Sequence, residues 1–203
     1  MIPQTDRQLF GLRSLLFLRW TRSFLFLLGA LAVSYVGLML LYARNYQEVA
    51  NSTLSNQIHA AERSSVSPSA SAVKEGDVLG RIEIPRLGMA VAILEGTTSR
   101  TLGVGVGHIG GTALPGEPGN IGIAGHRDTY FRALRRIQSG DEIRIQTATS
   151  VSRYKVDKVQ IVAPDDTGVL APSAASAITL VTCYPFHFVG AAPQRFVVHA
   201  SQE

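Results

Sequence analysis

Only one cysteine, Cys183, occurs in the 203 residues. That count excludes an intramolecular disulfide framework and any cysteine-clustered zinc site. Charge is sparse as well, at 17% of residues, although the balance is basic at +4 with a pI near 9.5. A basic balance invites a nucleic-acid reading, so the distribution matters more than the total. Residues 1–22 hold four Arg and one Asp, residues 44–80 hold three basic and four acidic groups, and residues 81–203 hold 12 basic and 10 acidic groups. Most of the excess thus lies in the leader, and the body of the chain lacks a nucleic-acid footprint. No internal repeat is present. The remaining composition, 46% hydrophobic, is that of one globular domain with an appendage.

The appendage is defined by another absence. Ser23 to Ala43 contains no charged residue at all. As a helix rising about 1.5 Å per residue, this run reaches roughly 30 Å, enough to cross a hydrocarbon core. Arg7, Arg13, Arg19 and Arg22 precede it, whereas only Arg44 and Arg63 follow within twenty residues. That asymmetry keeps the N-terminus cytoplasmic and the bulk of the chain outside. Trp20 suits the inner interface, and Tyr42 and Tyr46 the outer one. Ala30-Leu31-Ala32 resembles a signal-peptide cleavage site, but Val33 to Leu41 continue the apolar run beyond it. An uncleaved single-pass anchor fits better than a signal peptide. The expected organisation is a cytoplasmic tail at 1–22, a transmembrane anchor at 23–43, a stalk and Ser/Ala-rich linker at 44–75, and a domain at 76–203. Within the linker, the run SSVSPSASA at 64–72 reads as a flexible tether.

From Gly76 the pattern changes to short β-type segments. Candidates are Gly80–Ile84, Ala90–Leu94, Ile121–Ala124, Glu142–Thr147, Ser152–Val162, Ile178–Cys183 and Arg195–Ala200. Seven short strands with few helices predict a mainly β domain, a closed barrel or sandwich. One helix is predicted over Thr129–Ile137, with Tyr130, Leu134 and Ile137 on one face and Asp128 at its start. A second, shorter one is predicted around Ser99–Gly103.

Cys183 ends the apolar run Ile178-Thr179-Leu180-Val181-Thr182-Cys183, which puts a thiol at a strand end, accessible at a rim. Acyl transfer by a thiol needs a proton-transfer partner and a group that stabilises the oxyanion. His126 ends another apolar strand, and Arg195 begins the last one. His59, in the stalk, is set aside, and His187 and His199 are read as spectators.

With those residues in order, Thr179-Leu180-Val181-Thr182-Cys183 resembles the TLxTC motif of sortases, bacterial cysteine transpeptidases of the cell surface. Gly125-His126-Arg127-Asp128-Thr129 resembles the segment holding their histidine, and Ala192-Pro193-Gln194-Arg195-Phe196 the segment holding their arginine. Cys-Tyr-Pro-Phe and the Gly-His-Arg-Asp-Thr wording are most similar to class D. The resemblance covers roughly residues 76–203. It implies a closed eight-stranded β-barrel with one or two short helices behind a single transmembrane helix. It also implies attack by Cys183 on an LPxTG-like sorting signal to form a thioacyl-enzyme, with His126 moving protons and Arg195 holding substrate and oxyanion. The implied partners are proteins bearing such a signal and an amine acceptor, from a peptidoglycan precursor or a pilin lysine.

Around this centre, several residues carry two readings. Asp128 either orients His126 or caps the helix. His108 either lines the substrate groove or holds its loop together. Thr182 either contacts substrate or satisfies strand hydrogen bonds. Gly105 to Gly110 formally matches GxGxxG, but the Gly- and Pro-rich stretch after it permits no helix, so a dinucleotide site is rejected. Glu95, Glu117, Asp165 and Asp166 lack metal-ligand spacing. No cofactor or metal is therefore expected, with a calcium site assembled in space left open because some sortases use one. Three other functions compete: a cysteine peptidase that passes its acyl group to water, an L,D-transpeptidase, and a non-catalytic tethered β-domain with an inert Cys183. The second is weak, because those enzymes carry Gly before the cysteine and Arg two positions after it, where this chain has Thr182 and Pro185.

Overall fold

The computed structural model describes residues 5–63, 73–188 and 190–203. The predicted tether at 64–72 lies outside the described residues. The chain divides into two compact units, Met1–Arg44 and Asn45–Glu203. A helix, α1, runs over Thr5–Arg63. Its stretch Arg19–Tyr46 has a mean hydropathy of 2.4 and is long and apolar enough to cross a membrane. Trp20, Phe24, Leu28 and Leu31 stand exposed along it, as expected of a helix that is apolar all round.

The second unit contains eight strands: β1 (Val78–Ile84), β2 (Met89–Glu95), β3 (Val106–His108), β4 (Asn120–Ala124), β5 (Glu142–Gln146), β6 (Val151–Val162), β7 (Ala177–Tyr184) and β8 (Gln194–Gln202). They close into a barrel in the order β1-β2-β3-β4-β7-β8-β6-β5. The β2–β3 and β4–β7 pairs are parallel and the others antiparallel. The barrel therefore fills from alternate positions. Ile82 and Ile84, Ile121 and Ile123, Ile143 and Ile145, Ile178 and Leu180, and Val198 and Ala200 all meet in one buried core. The β-branched content of these segments and the Gly, Pro and Asp between them make seven of the strands readable in the sequence.

Strand β3 was not expected. It has three residues and sits among glycines, so its composition reads as loop. Gly107 is required there: a Cβ would lie 2.2 Å from the Gly96 carbonyl oxygen. A six-residue helix, α2 (Ser99–Val104), precedes β3, with the Thr98 hydroxyl accepting from the Thr101 N–H at 3.4 Å. It matches the short helix expected around Ser99–Gly103.

The helix predicted over 129–137 forms, but as a 3₁₀ helix over Tyr130–Arg136. Three residues per turn align Phe131, Leu134 and Ile137 on the buried face. Phe131 and Leu134 are fully buried, while Tyr130 only flanks the core. The cap expected of Asp128 is absent. Thr129 holds the N-cap position without a side-chain bond, because the chain already turns through Phe131 N–H to the His126 carbonyl. At the far end, Asp141 joins this helix to a second 3₁₀ turn, Pro85–Leu87. Its carboxylate accepts from Arg86 Nε, from Arg86 Nη2 at 2.6 Å and from the Gln138 N–H at 2.8 Å. Arg86 also donates to the Arg136 carbonyl at 2.5 Å.

Candidate active site

The three segments singled out in the sequence converge on neighbouring strands. In the antiparallel β7–β8 pair, Cys183 lies directly opposite Arg195. Directly opposed residues project from the same face of a sheet. Alternation fixes which face it is: Ile178 and Leu180 point into the barrel with their partners Ala200 and Val198, so Cys183 and Arg195 point outward. In the parallel β4–β7 pair, Ala124 lies beside Val181. The Gly125 N–H continues the ladder to the Val181 carbonyl at 3.1 Å. The ladder ends there, and His126 follows Gly125 directly, at the end of β7 that carries Thr182 and Cys183. All three side chains are partly exposed.

At the other end of these strands, the outer face is closed by the loop that carries a 3₁₀ turn, Thr167–Leu170. The Thr179 hydroxyl donates to Asn120 Oδ1 at 2.8 Å, and Asn120 Nδ2 donates to the Ala171 carbonyl at 3.1 Å. Leu170 packs so close to Gly122 that a Cβ there would meet it at 3.0 Å. What remains open is the stretch holding Val181, Cys183 and Arg195.

His126 is held by its neighbours. The Thr182 hydroxyl is buried and donates to the Gly125 carbonyl at 2.7 Å. The Phe131 ring occupies the space where a Gly125 Cβ would stand, at 2.6 Å. This bond is the kind the strand-bonding reading of Thr182 calls for, and it ties β7 to the segment that presents His126. Arg127, the residue after His126, spans to the β7–β8 connection. Its guanidinium donates to the carbonyls of Pro185 at 3.2 Å, Phe188 at 2.6 Å and Gly190 at 3.1 Å, and it lies 5.9 Å over the Phe188 ring. No sequence pattern announces this, because all three acceptors are backbone groups 58 to 63 residues away. Arg195 is steadied by its own segment, through the Ala192 and Gln194 carbonyls at 3.2 and 3.0 Å. Beneath Cys183, the rings of Tyr184, Phe186 and Phe196 form a cluster with centroids 5.1 to 6.2 Å apart.

His108 stands apart from this group. It is buried in β3, with Nδ1 2.8 Å from Glu95 Oε2 and Nε2 3.0 Å from Thr112 Oγ1 and 3.1 Å from the Ala113 carbonyl. Both ring nitrogens are occupied, so the loop-structural alternative is the one its surroundings support. His187 is exposed in the β7–β8 connection, and His199 lies on β8 with Nδ1 3.3 Å from Asp157 Oδ2. Asp128 is exposed. Among the described residues, no group of three or more His, Cys, Asp or Glu is arranged to hold a metal ion.

A thiol, an imidazole and a guanidinium on one open face form the set that acyl transfer through a thioester requires. Comparison with known proteins points to the same chemistry. A family model described as "Sortase domain" matches residues 82–203. Sortase D of Bacillus subtilis is 34% identical over 163 residues, covering 80% of this chain and 79% of that protein. The structure of a Clostridium perfringens Sortase D5 transpeptidase superposes with a TM-score of 0.63 at 29% identity, over 79% of this chain and 97% of that one. A SrtA sortase from Actinomyces oris gives 0.59 at 32% identity, over 69% and 87%. The chain belongs to the sortase family of cysteine transpeptidases.

Proposed function

We propose that this sortase is anchored by α1 with its N-terminus in the cytoplasm, and that it cleaves LPxTG-like sorting signals after Thr. Cys183 Sγ, deprotonated with the help of His126, attacks the carbonyl carbon of the Thr–Gly bond. Arg195 stabilises the negative charge that collects on the carbonyl oxygen. The C–N bond breaks as His126 returns a proton to the leaving amine, and the acyl group stays on sulfur as a thioester. An incoming amine, from a peptidoglycan precursor or a pilin lysine, gives its proton to His126 and attacks the thioester. The thiol leaves and an amide replaces the one broken. The observation that carries this proposal is the pairing of Cys183 with Arg195 on one outer face, at the strand end where the Gly125–Val181 bond brings in the segment of His126. The arginine asymmetry about residues 23–43 supports the orientation.

The test is intact mass of the full chain in uncharged detergent after incubation with LPxTG-like and LPxTA-like peptides. The expected result is a gain equal to the fragment ending in Thr, absent in Cys183→Ala and reversed by added amine. His126→Ala and Arg195→Ala should each abolish turnover while the protein stays folded. Decay of the adduct at one rate, with or without amine, would instead identify a peptidase. Failure of Cys183 to form any adduct, together with resistance to alkylation in the folded protein, would refute the proposal.

A further inference from the structure

Immediately past the His126 segment, the outside of the barrel carries a second concave surface. A groove of about 380 Å³ runs between the start of β2 and the 3₁₀ helix Tyr130–Arg136. That volume lies within the range of small-molecule sites. Its floor is the turn and strand from Gly88 to Val91, and its wall includes Thr129, Arg132, Arg135 and Arg136. The threefold period of the helix explains the wall. Phe131, Leu134 and Ile137 turn into the core, which leaves all three arginines on the exposed faces. Arg86, exposed close by, is bonded to Asp141 and to the Arg136 carbonyl.

Two observations separate this from an ordinary solvated face. First, no carboxylate among the described residues pairs with Arg132, Arg135 or Arg136, whereas Arg81, Arg86, Arg144 and Arg153 each have one. Second, residues 81–203 hold 12 basic and 10 acidic groups, and Arg86 is neutralised by Asp141. Setting aside Arg132, Arg135 and Arg136 leaves nine basic groups against ten acidic, so the net positive charge of the domain rests on these three arginines. Three guanidinium groups around a groove with a Thr hydroxyl suit an oxyanion bearing more than one charge. Planar forked donors match phosphate oxygens in pairs, which a single carboxylate cannot saturate.

We infer that this groove is a binding site for a phosphate-bearing group of the diphosphate or phosphodiester class. Its ligand is held beside the His126 segment, and the site does not depend on the acyl-transfer reaction. The test is calorimetric titration of the full chain in uncharged detergent with inorganic pyrophosphate. Ionic strength is set at about 0.15 M, where screening over roughly 8 Å suppresses diffuse attraction. Wild type is expected to bind saturably. The triple variant Arg132→Gln, Arg135→Gln, Arg136→Gln should lose at least about tenfold in affinity, and exposed substitutions of this kind leave folding nearly unchanged. A control with the same loss of charge on β6, Arg153→Gln, Lys155→Gln, Lys158→Gln, should stay within about twofold of wild type. Equal losses in the two triple variants, or no saturable heat from wild type, would overturn the inference. Repeating the titration in nanodiscs identifies the natural source. Competition by anionic lipid points to a headgroup, and unchanged binding points to a soluble or polymer-borne phosphate.

Discussion

Arg127 is the residue whose removal tests most directly how the site is held. Its guanidinium serves three carbonyls of the connection between the strand of Cys183 and the strand of Arg195. A hydrogen bond from a charged donor is worth about 1.5–3 kcal/mol when well buried. Two of these three are exposed, so the set together is worth about 2 kcal/mol. The connection is local, and its loss does not uncover the barrel core. Arg127→Ala should therefore leave the melting temperature nearly unchanged and let the 185–193 segment sample other conformations. At about 1.4 kcal/mol per factor of ten, the ratio of the competent arrangement to its alternatives falls roughly 10- to 30-fold. The rate of thioacyl formation at low peptide concentration should fall by up to the same factor. Amide exchange over 185–194 should rise while that of β4 and β6 does not. Arg127→Lys should recover only part of the rate, since an ammonium is a point donor and not a planar fork. A variant within about twofold of wild type, with exchange unaltered, would refute the reasoning.

Other expectations concern the frame. The Arg86 guanidinium beside it holds the Asp141 carboxyl below its ordinary range, and the Gln138 N–H adds to this against the opposing effect of burial. A depressed value contributes stability that is present above about pH 4 and lost as pH falls through the folded-state value. Asp141→Asn should cost about 1–2 kcal/mol near neutrality, and its difference from wild type should shrink below pH 4. Near-UV signals of Tyr154 suit that measurement, because Trp20, the one tryptophan, lies in α1. Gly107→Ala should destabilise by about 2–3 kcal/mol in a thermal melt, because backbone must move to admit the Cβ. Asp128→Ala should change stability by less than about 0.5 kcal/mol, since no cap is lost. A fall in turnover at unchanged stability would make Asp128 an orienting group for His126.

What was legible in the sequence follows from what each element buries. Strands β1 and β5 bury one face and leave the other partly open, an alternation written in Ile82/Ile84 and Ile143/Ile145, whereas β4 and β7 are covered on both faces and read as short apolar runs between Gly and Pro. Strand β3 carries no such signal, since three residues with Gly107 in the middle are fixed by backbone proximity. The sequence marks where the helix after His126 lies but not its 3₁₀ pitch. Over seven residues, periods of 3.0 and 3.6 differ by about 0.4 of a turn, enough to exchange Phe131 for Tyr130 on the buried face. Cys183, His126 and Arg195 stand out as candidates in the sequence because each closes or opens an apolar strand. The residues that hold them, Thr182, Gly125 and Arg127, act through carbonyl groups, which leave no trace in composition.

The closed ring of strands has a consequence for how such a chain changes over time. Slipping β4 past β7 would separate His126 from Cys183, and it would also require breaking the ladders on either side, because a closed sheet has no free edge. The reacting groups are thus insulated from drift in the segments that surround them. Residues 109–119, 163–176, 185–188 and 190–193 lie outside that ring, in the connections between its strands. A lineage can exchange these loops, and with them what is recognised, while inheriting the chemistry unchanged.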